Sequence, residues 1–130
     1  MMDVLHLFTP SAPKPIAPFS HATIAGGFVF VTGQMPIVPE TGAYVRGTFA
    51  EQTHAVMSNL ARVLEAAGSD WEHVLHCRIY LTDFARYDEV NEAYRSWFRS
   101  GKLPARTCIG VTELAGSADV EIDLLAAVAT

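Results

Sequence analysis

The chain has 130 residues, half of them hydrophobic, and carries a formal charge of −5 with only nine Lys and Arg. That length fits one domain able to bury its own core without disulfides or metal, and so few cations leave no basic footprint for a phosphate backbone, which argues against nucleic acid as a partner. Cys77 and Cys108 lie far apart without CxxC spacing, so free thiols are expected rather than a zinc site or a redox pair.

Met1 to Pro10 lacks the basic and apolar regions of a signal peptide, and no run approaches the roughly 20 apolar residues that span a bilayer, so no membrane association and a cytoplasmic location are expected. After a proline-punctuated lead-in from Pro10 to Pro18, Ala22 to Val31 reads as a β-hairpin around Gly26-Gly27, where positive φ costs glycine little. Pro39-Glu40-Thr41-Gly42 supplies a second turn. Thr48-Phe49-Ala50-Glu51 has the capping-box pattern, in which each side chain satisfies the other residue's free backbone N–H, so a helix starts there. Phe49, Val56, Leu60, Val63, Leu64 and Ala67 form its apolar stripe, with Gly68 as a left-handed stop.

From Val74 to Leu81 the residues alternate, with Leu75, Cys77, Ile79 and Leu81 on one face and Val74, His76, Arg78 and Tyr80 on the other, as in a half-buried strand. Phe84, Tyr87, Val90, Tyr94 and Phe98 then recur at helical spacing up to Ser100-Gly101, predicting a second amphipathic helix. Strands are expected at Thr107 to Thr112 and at Asp119 to Val128. This order predicts an α+β fold, a mixed sheet with both helices packed on one face. The other face keeps apolar residues that no helix remains to cover, which implies a cyclic oligomer of unspecified number.

Candidate chemistry concentrates near the C-terminus, where Pro104-Ala105-Arg106-Thr107-Cys108 enters one strand and Val120-Glu121-Ile122-Asp123 lies in the next. Parity groups Arg106 with Cys108 and Glu121 with Asp123, and antiparallel pairing of the two strands would bring the sets together in a suitable register. A guanidinium fork suits a small carboxylate, and a nearby glutamate can activate water against an electrophilic carbon. The same residues also fit a structural Arg106–Glu121 ion pair. Cys108 is either a nucleophile or, with no histidine near it in sequence, pocket lining. Thr32-Gly33-Gln34 is a pocket edge or a plain strand exit, and Asn91 a ligand contact or a helix-surface amide. His6, His21, His54, His73 and His76 show no ligand spacing, so no metal site is expected.

Pro15-Ile16-Ala17-Pro18-Phe19-Ser20-His21, Val29-Phe30-Val31-Thr32-Gly33-Gln34, Glu51-Gln52-Thr53 with Asn59-Leu60, Asn91-Glu92-Ala93-Tyr94 and the two C-terminal segments, taken in order, resemble the RidA/YjgF/UK114 family of enamine and imine deaminases over nearly the whole chain. The resemblance implies a chorismate-mutase-like fold, a homotrimer with a barrel-like core, clefts at subunit interfaces, and no metal or organic cofactor. It implies that Arg106 binds the substrate carboxylate, that backbone at Cys108 helps hold the ligand, and that Glu121 positions the attacking water. Thr32, Gly33, Phe19 and Asn91 complete the candidate substrate-binding set. The implied substrate is 2-iminopropanoate or its 2-aminoacrylate tautomer, hydrolysed to a keto acid and ammonia.

Two positions depart from the family pattern: Phe19 stands where Tyr is usual, and His21 where Gln is common. Losing the phenol while keeping the ring favours a bulkier substrate, of 2-aminomuconate-like or 3-aminoacrylate-like type. His21, a single histidine beside a loop, is expected at the surface. From another functional class, the chain fits a non-catalytic module that binds small carboxylates. Ribonuclease or translation-inhibitor activity, attributed to some relatives, conflicts with the acidic balance.

Overall fold

The computed structural model describes residues 2–129. A short strand, β1 (Leu5–Leu7), comes first and is absent from the sequence expectation, because three residues carry too little periodicity to read. Gly26 and Gly27 take φ of 58° and 83° and turn the chain from β2 (Ala22–Ala25) into β3 (Phe28–Gln34). The Thr48 hydroxyl accepts from the Glu51 N–H at 3.1 Å, and Glu51 Oε1 accepts from the Thr48 N–H at 3.0 Å. This capping box starts α1 (Phe49–Ala66), whose Val56, Leu60, Val63 and Leu64 are buried.

The next strand, β4 (Val74–Leu81), has the expected bounds but not the expected faces. Val74 pairs with Ala126 and His76 with Leu125, so Leu75 is the extra residue of a β-bulge. The bulge turns Val74 into the core and leaves Leu75 43% exposed, the reverse of strict alternation. The second helix is also shorter than its pattern. Phe84–Arg86 form a 3-10 turn capped by Asp83, and α2 covers only Tyr87–Arg95. Phe84 stays exposed and stacks on Tyr87, whereas Phe98 reaches the core from the turns that follow the helix.

Two last strands, β5 (Ala105–Gly110) and β6 (Val120–Ala127), complete a six-stranded mixed sheet of order β1-β2-β3-β6-β4-β5. All pairings are antiparallel except β4 with β5. The antiparallel pairing of β5 with β6 that the sequence permits does not occur. A helix intervenes between β4 and β5 and returns the chain to the same end of the sheet, which makes β5 the parallel neighbour of β4. The chain then reverses, and β6 inserts on the other side of β4. Both helices pack on one face, over Val29, Val31, Cys77, Ile79, Ile122 and Leu124. The opposite face carries exposed Phe28, Phe30 and Ile109, which none of the described residues covers. Among the described residues, no helix is long and apolar enough to cross a membrane.

Candidate functional site

On edge strand β5, Arg106 points to the helix-covered side, and α2 meets it with Tyr87, Asn91 and Tyr94, whose four- and three-residue spacings put them on one helix face. Arg106 Nη1 donates to Asn91 Oδ1 and Nη2 donates to the Tyr87 hydroxyl, both at 2.8 Å. The guanidinium carbon also lies 5.2 Å from the Tyr94 ring centre and 5.5 Å from that of Tyr87, within cation–π range. All these partners are neutral. Among the described residues no carboxylate bridges Arg106, although its side chain is half-buried. A cleft of about 240 Å³ opens beside it, walled by Asn91, Tyr94, Leu103 and Pro104.

Glu121 lies on β6 and points to the other face of the sheet, as the alternating burial of its strand requires. Opposite it, β3 changes register between Val31 and Gln34, and Gly33 sits in that irregularity. A Cβ at Gly33 would overlap Glu121 Oε2, so only glycine leaves the carboxylate its place. The surrounding cleft of about 270 Å³ is walled by Ile16, Phe19, Thr32, Met35 and Ile37. Asn59, fully buried on α1, holds part of that wall by donating to Met35 O at 3.0 Å and Ile37 O at 2.8 Å. The Thr32 hydroxyl donates to Ser20 O at 2.6 Å, which ties the strand to the segment carrying Phe19.

Electrostatics set Glu121 apart from the other acids nearby. Asp123 accepts from Arg78 Nε at 2.7 Å and from the Tyr80 hydroxyl at 2.9 Å. Asp119 accepts from Gln52 at 2.9 Å and from the Thr82 hydroxyl at 2.7 Å. Among the described residues, Glu121 has neither a hydrogen-bond donor nor a cation. Burial pushes its carboxyl above the usual carboxylate range, and the charge of Asp123 adds to the effect.

Within one chain, then, Phe19, Thr32, Gly33 and Glu121 meet in one cleft, while Arg106 and Asn91 meet in another on the far side of the sheet. The Arg106–Glu121 ion pair allowed by the sequence does not form, because β4 separates their strands and their side chains leave opposite faces. Cys108 faces the same side as Arg106 but walls neither cleft. Burial pushes its thiol up, against the lowering influence of Arg106, and burial pushes the Cys77 thiol up to about 11, so neither is a ready thiolate. His21 is buried rather than at the surface. Its Nδ1 accepts from the Thr9 N–H at 3.0 Å and its Nε2 donates to Pro13 O at 2.8 Å, so the ring cross-links the N-terminal segment. Among the described residues, no group of three His, Cys, Asp or Glu side chains could hold a metal ion. Tyr87 and Tyr94 were legible only as an apolar stripe. Their placement around Asn91 was the one signal of a shared polar task.

The sequence model of the Endoribonuclease L-PSP family matches residues 9–128. A RutC family protein of Aquifex aeolicus is 42% identical over 119 residues, covering 91% of this chain and 94% of that protein. The chloroplastic Reactive Intermediate Deaminase A of Arabidopsis thaliana is 36% identical over 118 residues, covering 91% of this chain and 63% of the plant protein. Among solved structures, YyfA of Yersinia pestis, described as a protein of unknown function of the conserved Rid family, superposes with a TM-score of 0.94 at 32% identity, covering 97% of this chain and 100% of that one.

Proposed function

The chain belongs to the Endoribonuclease L-PSP family, that of the RidA and YjgF proteins, and from that premise we propose that it is a cytoplasmic deaminase hydrolysing enamine and imine acids of the 2-aminoacrylate/2-iminopropanoate type. One observation carries this reading. Two half-buried groups of opposite charge, Arg106 and Glu121, lie on opposite sides of one sheet, and among the described residues neither is compensated by an opposite charge. Stranding an ion away from water costs several kcal/mol, on the order of 3–5 for a truly buried one, so each group suits a counter-charge or ligand from outside the chain. A cyclic homotrimer would supply both, by placing the Arg106 side of one copy against the exposed sheet face of the next and covering Phe28 and Phe30.

In the cleft so formed, Arg106 holds the substrate carboxylate through the N–H groups that Asn91 and Tyr87 leave free. An enamine first tautomerises to its imine. Water then adds to the imine carbon as Glu121 takes one of its protons, and Glu121 returns a proton to nitrogen. The carbinolamine collapses as its hydroxyl proton passes, through Glu121, to nitrogen; the C=O bond forms, the C–N bond breaks, ammonia leaves and the keto acid remains. Burial raises the proton affinity of Glu121 above the ordinary carboxylate range, which supports its role in accepting and returning a proton. Ile16, Phe19, Met35 and Ile37 give the cleft an apolar wall, which favours, as a second reading, a substrate with a longer unsaturated side chain.

The test is release of ammonia and keto acid when the purified protein meets 2-aminoacrylate generated in solution. We expect acceleration that disappears in folded Arg106→Ala and falls about 10²- to 10⁴-fold in Glu121→Gln. Wild-type rates in both variants would overturn the assignment. Carboxylate binding through Arg106 without turnover of any enamine acid would replace it with a binding module.

A further inference from the structure

We propose that Tyr87 is a positioning residue for carboxylate recognition, holding Arg106 in one orientation without neutralising it. The inference rests on the reading of Arg106 as carboxylate anchor. An arginine side chain has many rotamers, and an unrestrained one loses that freedom each time it binds. Here the freedom is already lost. Nη1 is fixed on Asn91 and Nη2 on the Tyr87 hydroxyl, each at 2.8 Å, and the rings of Tyr87 and Tyr94 lie alongside. That leaves the Nε–H and one N–H on each terminal nitrogen for a ligand. Tyr87 is itself held, because Phe84 stacks on its ring at 4.9 Å and 15°. This gives exposed Phe84 a role that its absence from the core otherwise leaves open.

The chemical type of the two acceptors matters as much as their position. A carboxylate at either place would orient the guanidinium equally well but would cancel its charge and compete with the substrate. A phenol and a carboxamide orient it and leave the charge intact.

The experiment measures pyruvate binding by calorimetry and 2-aminoacrylate turnover for the assembled protein and three variants. Tyr87→Phe keeps the ring and removes only the hydroxyl. We expect it to raise the pyruvate Kd and the KM about tenfold, equivalent to about 1.4 kcal/mol, with kcat changed less than about twofold. Asn91→Asp, nearly isosteric, should weaken pyruvate binding more than Tyr87→Phe because it introduces the cancelling charge. Arg106→Ala separates the two levels of inference. If it abolishes pyruvate binding while Tyr87→Phe binds like wild type, or lowers kcat at unchanged KM, the role of Tyr87 is overturned and Arg106 remains the anchor. If Arg106→Ala binds pyruvate as wild type does, both readings fall together.

Discussion

Mixing two inactive variants tests whether the catalytic cleft draws Arg106 and Glu121 from different copies. Under the proposed function, Arg106→Ala removes the carboxylate anchor and Glu121→Gln the proton acceptor, so each homogeneous assembly is expected to be nearly inactive. In the chain the two side chains leave opposite faces of the sheet with β4 between their strands, so the proposed cleft takes Arg106 from one copy and Glu121 from its neighbour. In a ring assembled at random from equal amounts, a cleft is intact when its arginine comes from a Glu121→Gln copy and its glutamate from an Arg106→Ala copy. Each condition is met half the time, so about one quarter of clefts should work. The assay is ammonia release after the two variants are unfolded together and refolded, compared with the same proteins refolded apart and then combined. Recovery to about one quarter of wild type only after joint refolding is the expected result. Activity that stays at the level of the parents would refute the shared cleft, because it would require both residues to serve from one chain.

Three further outcomes follow from the same geometry. Gly33→Ala puts a Cβ where the Glu121 carboxylate lies, at a residue outside the left-handed region, so stability should change by less than about 1 kcal/mol while deamination falls at least about 10²-fold; unfolding midpoints and ammonia release together check this. Because the Glu121 carboxyl is raised by burial, the stability it contributes is full below its ordinary value of 4.5 and is lost as pH rises through the folded value. Glu121→Gln should therefore match wild type in acid and exceed it at neutral pH in urea unfolding at dilutions that separate the copies, and a less stable variant at neutral pH would contradict the burial argument. Asn59→Ala strands the Met35 and Ile37 carbonyls at about 1–3 kcal/mol each, so a loss of about 2 kcal/mol or more is expected in denaturant unfolding.

Features set by neighbours in the chain were legible without the fold. The Thr48–Glu51 capping box, the Gly26-Gly27 reversal and the bounds of β4 all form as expected, because each depends on a few adjacent residues. Features set by distant pairing were not. Nothing in Val74-Leu75-His76 announces a bulge, since its cause is the register against Leu125 and Ala126 on β6. The order of the last strands had a signal that parity concealed: a single helix between β4 and β5 favours a parallel neighbour, which keeps β6 from pairing with β5. At the candidate site, residue type singled out Arg106, Glu121 and Asn91 as candidates, but type alone allowed an Arg106–Glu121 ion pair where the fold puts the two side chains in separate clefts. His21 misled for a related reason. A lone histidine looks like a surface residue until Thr9 and Pro13 are seen to close on its two ring nitrogens.

The pattern of satisfied and unsatisfied charges explains why this sheet is not built for the stability of one chain alone. Asp119 and Asp123 have their donors, and Arg78 has Asp123. A chain selected only to fold could have treated Arg106 and Glu121 the same way, or replaced them with apolar side chains at little cost or a gain. Instead, α2 spends a phenol and a carboxamide on orienting Arg106 without cancelling its charge. On the other face, a register shift and a glycine clear the space that an unpaired carboxylate occupies. Each arrangement sacrifices local stability for a group ready to meet an external partner, as expected where function rather than packing sets the side chain. That both coincide with an uncovered apolar face is the reason for proposing one shared partner, a neighbouring copy that would supply the opposite charge with the substrate between the two.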